Sequence, residues 1–168
     1  MRGGLTMMSN RLGAALLGAL LLAPPVFAAE TNTPAPPPVV RHGYEEVQAL
    51  VDDAVAFMKK VGPEKAFVAF NDPKGKWIKD DLYVFAFDPK GVYKATGFRP
   101  ERTGSNAWEM TDAAGLKVVQ EIIKKAKRNG SGMVDYLWKN PSTGKLENKT
   151  SYVVQVGDYV VGAGFYHR

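Results

Sequence analysis

The chain has 168 residues, 45% of them hydrophobic and 23% charged, values that suit one folded domain with additional segments. It contains no cysteine, which excludes a disulfide framework, a lipid-modified cysteine, c-type haem attachment and thiolate metal sites. The formal net charge is +5, but setting aside Arg2 and Arg11 leaves 20 basic against 17 acidic residues, scattered rather than striped, which argues against a nucleic-acid surface.

In chain order, Arg2 and Arg11 precede the apolar run Leu12 to Leu22, and Pro24-Pro25 and the residues Val26-Phe27-Ala28 follow. A basic start, an apolar stretch and small residues beyond it predict a secretory signal peptide over residues 1–28, cleaved after Ala28 or Ala29. The run falls short of the roughly 20 apolar residues a spanning helix needs. No later stretch reaches that length, so the expectation is a periplasmic or secreted protein without stable membrane insertion after cleavage. Residues 29–42 contain Thr33-Pro-Ala-Pro-Pro-Pro38 and read as a Pro-rich disordered tether, with a single folded domain over 43–168.

From Tyr44 to Val61, Val47, Leu50, Val51, Ala54, Phe57, Met58 and Val61 recur at three- and four-residue spacing, which predicts an amphipathic helix. Gly62-Pro63 stops it, and a second short helix, Pro63 to Phe70, begins with proline where a missing N–H costs nothing. After the turn Asn71 to Lys76, Leu82 to Phe87 reads as a strand, Asp88-Pro-Lys-Gly91 as a tight turn, and Val92 to Thr96 as the returning strand. The loop Gly97 to Thr111 leads to a third helix, Asp112 to Arg128, with Leu116, Val119, Ile122, Ile123 and Ala126 inward and Asn129-Gly130 closing it. Three strands finish the domain: Gly132 to Lys139, Lys149 to Val156 and Tyr159 to Tyr166, the last two joined by Gly157-Asp158. These elements predict an α+β, PAS-like domain: a five-stranded antiparallel sheet with a long first helix and two further helices.

The strand Gly132 to Lys139 places Val134, Tyr136 and Trp138 on one face by alternation, and Tyr83 and Phe85 share a face of theirs. Aromatic hydroxyl, indole and ammonium groups gathered at one end of a sheet suit a small anion. Packing alone accounts for many of the same residues, and a lysine opening a strand also serves as a solvated edge.

The ordered segments Asp81-Leu-Tyr-Val-Phe-Ala-Phe-Asp-Pro-Lys-Gly91, Gly104-Ser-Asn106, Asp112-Ala-Ala-Gly115, Gly132-Met-Val-Asp-Tyr-Leu-Trp-Lys-Asn-Pro141, Gly144-Lys145, Lys149-Thr-Ser-Tyr-Val153 and Gly162-Ala-Gly-Phe-Tyr166 resemble the single Cache domain of the second type. The resemblance covers nearly all of the chain beyond the tether. It implies an extracytoplasmic sensing domain with a pocket for short organic anions such as acetate, propionate or pyruvate. The lysine of the family motif falls on Lys149, the first choice for the cation. Where the family often has a histidine and an asparagine-proline pair, this chain has Thr96 and Arg99-Pro100, so Arg99 offers a charge that other members lack.

The ligand-binding set expected on this basis is Lys149, Tyr136, Arg99, Tyr83, Phe85, Trp108 as a lid, Tyr152 and Trp138. No cofactor, metal or catalytic residue is expected. His42 falls in the tether and His167 near the end, and Asp80-Asp81, read as strand residues, point to opposite faces. Asn148-Lys149-Thr150 matches a glycosylation pattern, a chance match if the source is bacterial. Receptors of the family continue into a transmembrane helix and an output module, whereas this chain ends at Arg168; the expectation is a stand-alone exported protein that presents its ligand to a membrane sensor kinase, chemoreceptor or transporter. The alternative is an envelope protein-interaction module with a vestigial pocket.

Overall fold

The computed structural model describes residues 39–167; the signal peptide and most of the tether expected from the sequence lie outside them. Helix α1 spans Tyr44–Val61 and α2 spans Pro63–Phe70, both with the bounds read from periodicity and the Gly62-Pro63 break. Val47, Val51, Ala54 and Met58 form the buried stripe of α1, and burial of each larger side chain contributes about 1.5–3 kcal/mol. The Gly43 N–H donates to the Glu46 carboxylate at 2.8 Å and starts the helix, while Lys59 and Lys60 complement the dipole at its end.

The strands are β1 (Ile78–Lys79), β2 (Leu82–Tyr83), β3 (Phe85–Phe87), β4 (Tyr93–Thr96), β5 (Ser131–Lys139), β6 (Leu146–Val156) and β7 (Tyr159–Tyr166), with helix α3 (Val118–Asn129) between β4 and β5. Five of them form an antiparallel sheet in the order β4-β3-β7-β6-β5, and β1 with β2 makes a separate hairpin. The five-stranded antiparallel sheet with helices is the α+β architecture expected from the pattern of elements.

Three local expectations need correction. The single strand Leu82 to Phe87 is split: the Val84 N–H goes to the Trp77 carbonyl and the Val84 carbonyl takes the Gly97 N–H, so the chain changes sheets there. Every residue of that stretch is buried, so no alternation marked the break. The third helix starts at Val118, not Asp112. The Asp112 carboxylate instead accepts N–H groups from Ala114 and Leu116, and Gly115 at φ +85° makes a turn that no helix continues. Finally, the tether does not run free to residue 42: Arg41 donates to Glu147 at 2.6 Å and to the His167 carbonyl at 3.1 Å, and His42 is buried.

The sheet has two packed faces. Toward α1 and α2 it offers small residues, Ala86, Ala95, Val161 and Ala163, against Ala54, Met58, Phe67 and Phe70. Toward α3 it offers Phe85, Phe87, Val134, Tyr136 and Val153 against Val119, Ile122 and Ile123. The second face holds the candidate site. Among the described residues no helix is long and apolar enough to cross a membrane.

Candidate functional site: an aromatic cavity beside a buried lysine

Register builds the site. Tyr136 of β5 lies opposite Lys149 of β6, and Lys149 lies opposite Tyr166 of β7, so the three side chains form one row across the α3-facing side. The next row is Val134, Ser151 and Gly164. A Cβ on Gly164 would stand 2.2 Å from Ser151 Oγ and 2.5 Å from Lys149 Cε, so the missing side chain is the space into which the lysine stem folds.

Lys149 is 1% exposed, and its ammonium has no hydrogen-bond partner. It rests 3.9 Å from the Tyr83 ring centroid and 4.7 Å from that of Tyr166, a cation–π cradle. Burial pulls its pKa from 10.5 down to about 7, against an upward pull from Asp81. Asp81 is itself fully buried, and both its carboxylate oxygens lack hydrogen-bond partners. Burial raises its pKa, opposed first by His42. Asp80 and Asp81 form the turn of the β1–β2 hairpin, with Asp80 at φ +54°, and this brings both toward one imidazole: His42 Nε2 lies 3.2 Å from Asp80 and 3.9 Å from Asp81. They do not diverge as strand neighbours would.

Beside this row is a cavity of about 30 Å³, room for one or two waters or the few heavy atoms of a very small guest. The sheet supplies Tyr83, Phe85, Phe87, Tyr93, Thr96, Tyr136 and Trp138; α3 supplies Val118, Val119 and Ile122. The loop after β4 closes the mouth with Phe98, Arg99, Arg102 and Met110. Lys149 is not itself in the wall; its ammonium lies against the Tyr83 ring, which is. Burial holds the phenols of Tyr83 and Tyr136 well above their ordinary pKa, so both remain neutral O–H groups able to donate. The Tyr136 hydroxyl is 2.8 Å from Ser151 Oγ.

Of the residues expected from the sequence, Tyr83, Phe85, Tyr136, Trp138 and Arg99 line the cavity and Lys149 adjoins it. Arg99 is half-exposed at the mouth, its Nε donating to Glu101 at 2.8 Å. Tyr152 lies on the opposite face with Val154 and Phe165, against Val47 and Val51, and does not reach the cavity. Trp108 is no lid: it packs beneath Gly91, where a Cβ would meet the indole at 3.0 Å, and its carbonyl takes the Gln120 side chain. Arg102, Tyr93, Phe98 and Met110 were missed, as loop or hairpin positions with no periodicity to assign them a direction. Thr96 was noted only as a departure from the family motif, yet it forms part of the wall. His42 and His167 lie outside the wall, and among the described residues no group of three His, Cys, Asp or Glu side chains is arranged to hold a metal ion, the His42–Asp80–Asp81 cluster included.

Residues 44–168 match the family model described as Single Cache domain 2. A curated relative, the sensor histidine kinase MctS of Rhizobium johnstonii, is 39% identical over 88 residues, covering 51% of this chain but only 19% of the kinase. Among solved structures, a methyl-accepting chemotaxis protein from Vibrio parahaemolyticus superimposes with a TM-score of 0.65 at 21% identity, covering 73% of this chain and 86% of that one. A periplasmic sensor domain of a chemotaxis protein gives 0.58 at 25% identity, over 74% and 90% of the two chains. A Cache chemosensory domain studied for carboxylic acid recognition gives 0.62 at 22% identity, over 74% and 92%.

Proposed function

The chain belongs to the single Cache domain 2 family of sensory ligand-binding domains, and from that premise we propose that its aromatic cavity takes one short organic carboxylate outside the cytoplasm. The observation that carries this reading is the Lys149 ammonium, fully buried and without a hydrogen-bond partner beside the cavity. A charge so placed is costly unless something pairs with it, and a carboxylate is the simplest partner. The Tyr83 ring yields to let the guest reach Lys149, Tyr136 and Tyr83 donate their hydroxyls, and Phe85 and Trp138 give apolar walls that exclude water. Arg99 adds positive potential at the mouth. Nothing in this arrangement calls for bond making or breaking, and the function is recognition.

Carboxylic acid recognition is described for one domain of the same fold, and a curated relative is a sensor kinase. Both support a sensory role in which occupancy is passed to a membrane kinase, chemoreceptor or transporter. The basic and apolar residues of 1–28 support export.

Thermal unfolding of the purified protein with acetate, propionate, pyruvate and lactate tests the reading. A ligand at a hundred times its Kd adds about 2.7 kcal/mol of stability. Melting curves unmoved by every acid in the series would overturn it.

A further inference from the structure

The inner cavity adjoins an open cleft of about 480 Å³, for the two share Phe98, Arg99, Arg102, Met110 and Trp138 as wall residues. The cleft wall carries Arg99, Arg102 and Lys139 against one acid, Asp112. That acid is already engaged by the backbone N–H groups of Ala114, Leu116 and Leu137, and Arg99 is engaged by Glu101.

Arg102 differs. It is half-buried at the junction of the two spaces and forms no ion pair among the described residues. Its side chain directs one N–H to the Met110 sulfur at 3.5 Å, a weak acceptor, and its other polar neighbour is the neutral Tyr93 phenol. A guanidinium has five donors in a planar fork matched to a carboxylate, so most of this one's capacity is unused where a guest would pass. Phe98, Met110 and Trp138 around it suit a short hydrocarbon linker.

We infer that the ligand is a short dicarboxylate, one carboxylate held inward at Lys149 and the other by the Arg102 fork at the junction. This rests on the carboxylate reading of the same cavity and narrows it. A monocarboxylate of equal length makes the inward contact alone and leaves Arg102 to solvent.

Calorimetric titration with length-matched pairs tests it: malonate with propionate, succinate with butyrate, glutarate with valerate, at physiological salt. In the wild-type protein at least one diacid binds ten times or more tighter than its partner. In Arg102→Gln that ratio falls to about one while the monoacid Kd moves less than twofold; Arg102→Lys restores part of it. Lys145→Gln, the same loss of charge on an exposed turn, leaves the ratio unchanged. Equal binding within every pair, or equal losses for monoacid and diacid in Arg102→Gln, overturns the inference and leaves the carboxylate reading standing. Failure of all six acids to bind overturns the inference, and failure of acetate, pyruvate and lactate as well overturns both.

Discussion

Lys149 carries a buried ammonium that has no hydrogen-bond partner, and this has consequences for stability as well as for binding. Lys149→Met keeps the stem and removes the buried ammonium, and ligand-induced stabilisation disappears. Urea unfolding with and without acid checks this; a variant that still gains stability from the acid would contradict the assignment. The pH dependence has a definite sign. The folded pKa is depressed from 10.5 to about 7, so between these values the unfolded chain holds the extra proton. The residue's burden on stability is therefore full below pH 7 and lifts as pH rises toward 10.5. A carboxylate that needs the charged form takes up a proton on binding near pH 7, and its affinity falls about tenfold per unit above that. Calorimetry in buffers of different ionisation heat reads the uptake directly. Asp81→Asn removes the pull that raises the Lys149 pKa, and the break in the affinity profile moves to lower pH. Parity along β6 already separated Lys149, Ser151 and Val153 from Tyr152, so the error over Tyr152 was avoidable from sequence; Arg102 was not, because a loop has no period.

At the level of elements, periodicity and the Gly62-Pro63 stop located α1 and α2 to the residue, and the Gly157-Asp158 turn located β7, which is buried on both faces. The start of α3 was illegible because Asp112 and Gly115 are as compatible with a helix cap as with the turn they form. What decides is a contact distant in sequence: Asp112 Oδ2 accepts the Leu137 N–H of β5 at 3.0 Å. That bond ties the loop of the outer cleft to the strand bearing Tyr136 and Trp138. Asp112→Ala leaves three backbone N–H groups without this partner and costs about 1–3 kcal/mol, with faster amide exchange at Leu137. Unchanged exchange there would mean the loop is held by its own packing. Gly164 on β7 makes a comparable link between element and site. Gly164→Ala drives a methyl into Ser151 Oγ and the Lys149 stem, and the Thr150 carbonyl at 2.8 Å blocks escape along the backbone. The cost is about 1–3 kcal/mol together with loss of acid binding, where a surface strand glycine would tolerate the change.

Across the whole molecule, the segment leading into α1 and the end of β7 meet at one side chain. Arg41 grips the Glu147 carboxylate with both terminal nitrogens and donates to the His167 carbonyl, while Asn140 and Thr143 complete the Glu147 shell from the β5–β6 turn. Glu147 stands two residues from Lys149 on β6 and opposite Trp138 on β5, so this clasp and the Tyr136–Lys149 row occupy neighbouring positions of the same strands. The Arg41 hydrogen bond, reinforced by Thr143 and Asn140, draws the Glu147 pKa from 4.5 down to about 2. A depressed carboxylate stabilises the fold above its unfolded pKa and loses that contribution as pH falls through the folded value. The clasp is therefore intact at neutral pH, weakens below about 4.5 and is gone near 2, and after solvent screening it is worth about 1–3 kcal/mol. Unfolding free energies of wild type and Glu147→Gln between pH 2 and 7 isolate it: the two curves converge toward pH 2 and separate above pH 4.5, whereas a constant offset at every pH would mean that Glu147 acts through shape and not through its charge.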